Sequence, residues 1–295
     1  MDLIAAGEAC TAAVTGGLLP ESVRVPADTL KLRCLVWGRP GDPTLVLLHG
    51  NGAHAHWWDV LVPALVPGWR VLAPDLRGHG QSDWAEPPRY RLWDFVEDLT
   101  AVLGALSPGR IVVGGHSMGG RAAAWYAGAH PERVRGLVLL DTRIGDVDPE
   151  LAARWRGSMV GKREGRGYPT REAALAAFRL VPEEPGVSPG VLADLAHHAI
   201  VERAPGDWTF RFDRAVLALD GDGAGDLSPV LARLRCPVLA LNGAASAVMP
   251  ADERHALVRV LPGGAVQVLP GGHHFLLVAP AAVAATLRAF LDGLA

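Results

Sequence analysis

The fold of this chain is decided by the stretch Ile111-Val112-Val113-Gly114-Gly115-His116-Ser117-Met118-Gly119, an apolar run that ends in the pattern G-x-S-x-G. The apolar residues predict a buried strand and the residues after Gly119 predict a helix, so Ser117 is expected on a sharp strand-to-helix turn. Such a turn strains the backbone at the serine, and the flanking glycines leave room for the strand and the helix to cross closely. The hydroxyl group of Ser117 is therefore expected to point out of the core.

The predicted position of Ser117 also indicates its chemistry. A serine at the start of a helix lies beside free backbone N–H groups and the positive end of the helix dipole, which stabilise a developing oxyanion. Upstream, Leu47-Leu48-His49-Gly50-Asn51-Gly52 ends another predicted strand in a glycine-rich turn. We expect Ser117 to be a nucleophile and the backbone N–H groups of Asn51 and Met118 to form an oxyanion hole, with His49 bracing the turn.

A general base for Ser117 is expected on the loop Pro270-Gly271-Gly272-His273-His274, which follows the last predicted strand and precedes the final predicted helix. A loop that leaves the sheet at the same edge as the serine can deliver an imidazole to the hydroxyl group. From composition alone, either His273 or His274 could be the base.

Short apolar runs alternate with helical patterns along most of the chain, which is typical of a mostly parallel sheet covered by helices on both faces. The helical patterns include Arg91–Leu106, Gly119–His130 and Pro280–Leu294, and the Gly- and Pro-rich segment Gly38–Pro43 predicts a turn between two antiparallel strands. The predicted strands are Leu30–Trp37, Thr44–His49, Arg70–Pro74, Ile111–Gly115, Val134–Asp141, Cys236–Asn242 and Val266–Leu269.

The alternation is absent between Arg143 and Pro229, where helical patterns at Arg171–Leu180 and Val191–Ala204 have no strong strands between them. We interpret residues 143–229 as a mainly helical cap, inserted after the strand that ends at Asp141. Residues 1–142 and 230–295 then form one doubly wound α/β core.

Four blocks of residues together resemble the α/β-hydrolase superfamily, in its branch of capped esterases, lactonases and carbon-carbon hydrolases. They stand in the family's order and are His49-Gly50-Asn51-Gly52, Asp75-Leu76-Arg77-Gly78-His79-Gly80-Gln81-Ser82, Gly115-His116-Ser117-Met118-Gly119-Gly120 and Gly272-His273. The resemblance implies an eight-stranded, mostly parallel sheet with a cap after strand six. It also implies His273 and not His274 as the base, because the family's histidine follows a glycine and lies seven residues before a proline, here Pro280.

The acid that orients the histidine is where this chain departs from the family. Most relatives place an aspartate on the loop after the seventh strand, but here that loop is Asn242-Gly243-Ala244-Ala245-Ser246-Ala247-Val248, without a carboxylate. Loss of this acid reduces the rate of a serine protease by up to about 10⁴, which favours a replacement. Some relatives carry the acid at the end of strand six, where this chain has Asp141. Asp252 is the alternative, although its position also suits the N-terminus of a helix.

Two other carboxylates, Asp75 and Asp98, are interpreted as loop or helix-surface groups without a catalytic role. Tryptophan is frequent, with nine residues, and several lie near the predicted mouth of the site. Aromatic walls suit an apolar or ring-bearing acyl group, whereas core packing is the alternative for any single tryptophan. The predicted pocket residues are Trp57, Trp58, Trp84, Trp155 and His274, with Trp208 as a further tryptophan of the cap.

Composition restricts the partners of the protein. With 49% hydrophobic residues and a net charge of -3, the chain is globular and offers no electrostatic reason to expect nucleic acid or an acidic membrane as partner. Cys10, Cys34 and Cys236 form no metal or redox motif. The first twenty residues lack the basic start of a secretory signal, and no apolar run is long enough to span a bilayer. A cytoplasmic monomer or homodimer without metal or other cofactor is expected.

The sequence therefore predicts a serine hydrolase that cleaves a carboxylic ester or lactone of a small apolar or aromatic substrate through an acyl-enzyme. Because the usual acid is displaced, cofactor-free non-hydrolytic chemistry such as carbon-carbon cleavage, a lyase reaction or cyclisation stays open as an alternative. A third hypothesis, of a different class, is a ligand-binding receptor that keeps the pocket without turnover.

Overall fold

A computed structural model of the protein describes residues 3–145, 150, 153, 157, 167–218, 225–261 and 265–294. Its strands are β1 (Glu21–Ala27), β2 (Leu30–Trp37), β3 (Thr44–Leu48), β4 (Arg70–Pro74), β5 (Ile111–His116), β6 (Val134–Leu140), β7 (Ile200–Ala204), β8 (Asp207–Phe210), β9 (Val238–Gly243) and β10 (Ala265–Leu269). Eight of them form one sheet in the order β1-β2-β4-β3-β5-β6-β9-β10. Neighbours in this sheet are parallel, except that β2 runs antiparallel to β1 and β4. The predicted eight-stranded, mostly parallel sheet is confirmed.

The central strands are apolar because helices cover both faces of the sheet. Every residue of β3, β5 and β9 is buried. Along β3 the side chains alternate between two apolar clusters, so that Val46 and Leu48 belong to one and Leu45 and Leu47 to the other. This arrangement explains why these strands read as continuous apolar runs and could be predicted within two residues of their ends.

The antiparallel edge of the sheet differs in part from the prediction. Gly38–Pro43 does join strands of opposite direction, but β2 and β3 are not neighbours, because β4 lies between them. Sequence reasoning missed β1, whose pattern of mostly exposed residues is typical of an edge strand and carries little apolar signal.

The helices are α1 (Leu3–Thr15), α2 (Val62–Leu65), α3 (Leu92–Leu106), α4 (Met118–Ala129), α5 (Arg171–Ala177), α6 (Pro189–Ala199), α7 (Ser228–Leu231), α8 (Ala251–Val260), α9 (Phe275–Val278) and α10 (Pro280–Asp292). Short 3-10 turns cover Ala55–Trp58 and Arg214–Ala218. Helices α3 and α4 contribute to the apolar cluster on one face of the sheet and α10 to the cluster on the other. No helix among the described residues combines the length and apolarity needed to cross a membrane.

Asp98 corrects one prediction, because it is not a surface group of its helix. Its side chain is buried, and it accepts hydrogen bonds from Nε and Nη2 of Arg77 at 2.6 Å each. Asp75 is also buried: its carboxylate accepts from Nη1 of Arg33 at 3.0 Å and from the amide of Ala55 at 2.7 Å. Both carboxylates fix the turn of residues 75–82 to the core. The sequence alone does not distinguish such buried, paired carboxylates from exposed ones.

The described part of the predicted cap combines helices with a β-hairpin. The helix predicted over Val191–Ala204 is wrong at its C-terminal end, because α6 ends at Ala199 and Ile200 begins β7, which pairs with β8. A serine cap at Ser188 and Pro189 start this helix, and the β-branched pair Ile200-Val201 with the turn at Gly206 favours the hairpin. Helix α1 of the N-terminal segment packs on α6 of the predicted cap. The division at residues 143 and 229 stays a prediction.

Candidate active site

Ser117 lies on the strained strand-to-helix turn that its sequence predicts. It connects β5 to α4 with φ 54° and ψ −119°, a left-handed backbone conformation that a residue other than glycine adopts only under constraint. The crossing is too close for side chains at the flanking glycines, since a Cβ atom at Gly115 would overlap the backbone of Gly119. A Cβ atom at Gly119 would in turn overlap the carbonyl groups of Leu48 and His49. The glycines of the motif are therefore required by packing.

The structure brings His273 to Asp141. Nδ1 of His273 donates a hydrogen bond to Oδ2 of Asp141 at 2.7 Å, and both side chains are buried. A carboxylate at Nδ1 requires the ring proton there, which leaves the lone pair on Nε2. Such a tautomer is the one in which a histidine accepts a proton from a serine hydroxyl group.

Asp141 is held at the end of β6 in a left-handed conformation, with φ 46°. Its own amide donates to the carbonyl of Leu241 at 2.8 Å, and its Oδ1 accepts from the amide of Gly243 at 3.0 Å. The hydroxyl group of Ser246 donates a hydrogen bond to Oδ2 of Asp141. The same hydroxyl oxygen accepts from the amide of Met249 at 3.1 Å, which orients it. The end of β9 and the loop that follows it thus supply hydrogen-bond donors to Asp141, at the end of the neighbouring strand β6.

Asp252, the alternative acid, lies elsewhere. It is exposed in the first turn of α8, where a carboxylate suits the positive end of the helix dipole. The structure places Asp141 and not Asp252 against His273.

The predicted oxyanion donors lie on both sides of Ser117. Met118 is the first residue of α4, and N–H groups in a first helical turn have no intrahelical acceptor. On the opposite side, a Cβ atom at Gly50 would lie 3.4 Å from Cβ of Ser117, so the turn that contains Asn51 is packed directly against the serine. In that turn the amide of Gly52 donates to Nε2 of His79, whereas the amide of Asn51 has no acceptor among the described residues.

His49 has the structural surroundings that were expected. Its Nδ1 donates to the carbonyl of Gly50 at 2.8 Å, and its Nε2 accepts from the amide of Leu76 at 3.0 Å. Burial lowers the pKa of His49, so the ring is neutral and braces the two turns.

The predicted pocket residues occupy different surroundings. The ring of Trp57 lies 5.1 Å from that of His274, centroid to centroid, beside the candidate base. Trp58 is fully buried in the core, and Trp84 is 45% exposed on the surface. Trp208 packs in a small apolar cluster with Ala174 and Ile200, and Trp155 lies outside the described residues. Of the described members of this set, Trp57 and His274 lie at the candidate site. Trp57 stacks on His116, next to Ser117, and His274 is part of the loop of residues 270–274, here called the histidine loop.

Sequence reasoning missed His116, the residue before the serine. Its Nε2 donates a hydrogen bond to the carbonyl of His273 at 2.9 Å and so fixes the backbone of the histidine loop. Burial lowers the pKa of His116 and of His274 well below the usual value, and the neighbouring His273 adds to both shifts. The position inside the G-x-S-x-G motif was a possible signal, but the motif itself does not restrict this residue.

Two groups among the described side chains have the ligand types of a metal site: His56, Asp59 and His198, and His116, His273 and His274. In the first group Nη2 of Arg33 donates to Nε2 of His56 at 2.9 Å. The ring proton is therefore on Nδ1, which donates to Oδ2 of Asp59 at 2.8 Å. A metal ion at Nδ1 would force this proton to face the guanidinium group, so the first group fits hydrogen bonding better than metal binding.

Comparison with known proteins agrees with this geometry. A family model described as alpha/beta hydrolase fold matches residues 43–175. An esterase of Mycobacterium tuberculosis is 32% identical over 94% of this chain and 91% of its own length. The chain belongs to the α/β-hydrolase family. A pimeloyl-[acyl-carrier protein] methyl ester esterase of Neisseria meningitidis is 30% identical over 84% of this chain and 93% of its own length.

Solved structures of this family have the same fold. The crystal structure of an esterase from M. tuberculosis superposes with a TM-score of 0.74 at 30% identity and covers 99% of this chain and 98% of its own. The structure of E-2-(acetamidomethylene)succinate hydrolase gives a TM-score of 0.82 over 92% of this chain and 99% of its own, but at 23% identity it shows the fold alone. These similarities support a hydrolase that acts on esters.

Proposed function

We propose that this α/β hydrolase cleaves a carboxylic ester or lactone through an acyl-enzyme on Ser117. Oγ of Ser117 attacks the carbonyl carbon while Nε2 of His273 takes the hydroxyl proton, and Asp141 keeps the other ring nitrogen protonated. The amides of Asn51 and Met118 bind the oxyanion of the tetrahedral intermediate. His273 then protonates the leaving alkoxide, and water repeats the sequence to release the acid.

The observation that carries this proposal is the 2.7 Å hydrogen bond from His273 to Asp141, together with the strained backbone conformation of Ser117. Asp141 is thus the acid that orients His273, in place of the acid that the loop after β9 lacks. No residue in this scheme requires a cofactor.

A small apolar or ring-bearing acyl group is the proposed substrate class. Trp57, buried next to His274, supplies an aromatic surface beside the base. The relatives from M. tuberculosis and N. meningitidis are named esterases, which supports ester cleavage.

The non-hydrolytic alternative was motivated by the displaced acid. Since Asp141 contacts His273 from strand β6, this motivation no longer applies, and no other observation favours carbon-carbon cleavage, a lyase reaction or cyclisation. The strained conformation of Ser117 also argues against a receptor without turnover, because ligand binding alone does not require it.

Hydrolysis of a panel of p-nitrophenyl esters of increasing acyl length, together with aryl lactones, tests the proposal. We expect multiple turnovers in the wild type and loss of activity in Ser117→Ala. Tight binding of the same compounds without turnover would contradict it, as would full activity in Ser117→Ala.

A further inference from the structure

Glu184 lies before helix α6 and contacts the backbone on both sides of His273. Its Oε1 accepts a hydrogen bond from the amide of Gly272 at 2.9 Å, and its Oε2 accepts from the amide of His274 at 2.8 Å. One carboxylate therefore spans the peptide groups that precede and follow the candidate base. The neighbouring Glu183 is exposed.

Apolar packing fixes the loop that carries Glu184. Leu180 and Val187, at the two ends of this loop, are buried in the same apolar cluster as Phe275 and Leu276, which follow the histidine loop. With the carbonyl of His273 bonded to His116 and its ring to Asp141, Glu184 adds the contact that comes from the cap region.

We infer that Glu184 is a positioning residue, which couples the cap to the placement of His273 during ester hydrolysis. This inference rests on the proposed function. In Glu184→Gln the side-chain NH₂ group faces one of the two amides and cannot accept from it, so the histidine loop shifts. Misplacement of a catalytic group by about 1 Å can reduce the rate about 10²-fold.

The test compares Glu184→Gln with Glu183→Gln, an identical change of charge at the next residue. We expect kcat of Glu184→Gln to fall about 10- to 100-fold with little change in KM, together with slower labelling of Ser117 by a fluorophosphonate. Glu183→Gln should stay within about twofold of the wild type. Thermal unfolding establishes that both variants are folded.

A rise in KM with unchanged kcat and labelling rate would overturn the positioning role, as would equal behaviour of the two variants. If the wild type showed neither hydrolysis nor labelling that depends on Ser117, the proposed function would fail instead.

Discussion

Among the described residues, three groups donate hydrogen bonds to the carboxylate of Asp141. The ring of His273, the amide of Gly243 and the hydroxyl group of Ser246 all donate to its two carboxylate oxygens. Of these, Ser246 is the only side chain besides the candidate base. Its position on the loop after β9 compensates for the absence of an acid there.

Ser246→Ala should reduce kcat/KM by about 10- to 150-fold, because a hydrogen bond to a charged group contributes about 1.5–3 kcal/mol. Steady-state kinetics on a p-nitrophenyl ester measures this effect. If Ser246 acts through Asp141, the substitution should have little further effect in an Asp141→Asn background. Equal losses in both backgrounds would show that Ser246 acts on something else.

The sequence predicted Ser117, His273 and Asp141 as neighbours, because motif, loop and strand end each carry a local signal. It could not predict Ser246, Glu184 or His116 as their partners. Ser246 is 105 residues from Asp141, and Glu184 is 88 residues from Gly272. Contacts between loops so distant in the chain depend on the packing of the folded protein and have no local pattern.

Helix α3 is fixed to the turn of residues 75–82 by a buried ion pair. Nε of Arg77 lies 2.6 Å from Oδ2 of Asp98, and both side chains are less than 5% exposed. A buried pair of this kind depends on both partners, because either charge alone stays desolvated without compensation.

Arg77→Met should lower the free energy of unfolding by about 3–5 kcal/mol, since it leaves the carboxylate of Asp98 buried without its partner. Urea unfolding measures the change. The double variant Arg77→Met with Asp98→Leu should recover most of the loss, as apolar replacement of both partners is often neutral. A double variant less stable than the single one would contradict this account.

The central strands β3, β5 and β9 were predictable from the sequence because they are buried on both faces and are therefore continuously apolar. The hairpin β7–β8 was not, because Ile200–Ala204 continues the apparent helical pattern of α6 and its strand identity comes from pairing with Asp207–Phe210. Edge strand β1 was missed because most of its residues are exposed.

Across the whole molecule, burial favours the neutral form of several histidines. Burial lowers the pKa of His54 and of His79 to about 3 from the usual 6.5. Burial also lowers the pKa of five more histidines, which are His49, His56, His116, His197 and His274. Burial raises the pKa of the carboxyl groups of Asp59 and Asp98, which opposes the effect of the histidines on stability.

Stability should therefore fall as the pH falls from about 6.5 towards 3. In that range the unfolded chain binds protons at histidines that the folded protein keeps neutral, and each net proton lowers the free energy of unfolding by about 1.4 kcal/mol per pH unit. Urea unfolding at pH 7 and pH 5 measures the change. A free energy of unfolding that is equal at both values, or higher at pH 5, would contradict the neutral state.

The central claim is that Asp141 orients His273 for acyl transfer to Ser117, and the most direct test is the pre-steady-state hydrolysis of a p-nitrophenyl ester by the wild type and by Asp141→Asn. In the variant the amide NH₂ group faces Nδ1 of His273 and favours the wrong tautomer. The account predicts a burst of about one p-nitrophenol per chain in the wild type and a turnover lower by up to about 10⁴-fold in the variant. A variant as active as the wild type, or a wild type without a burst or turnover, would contradict it.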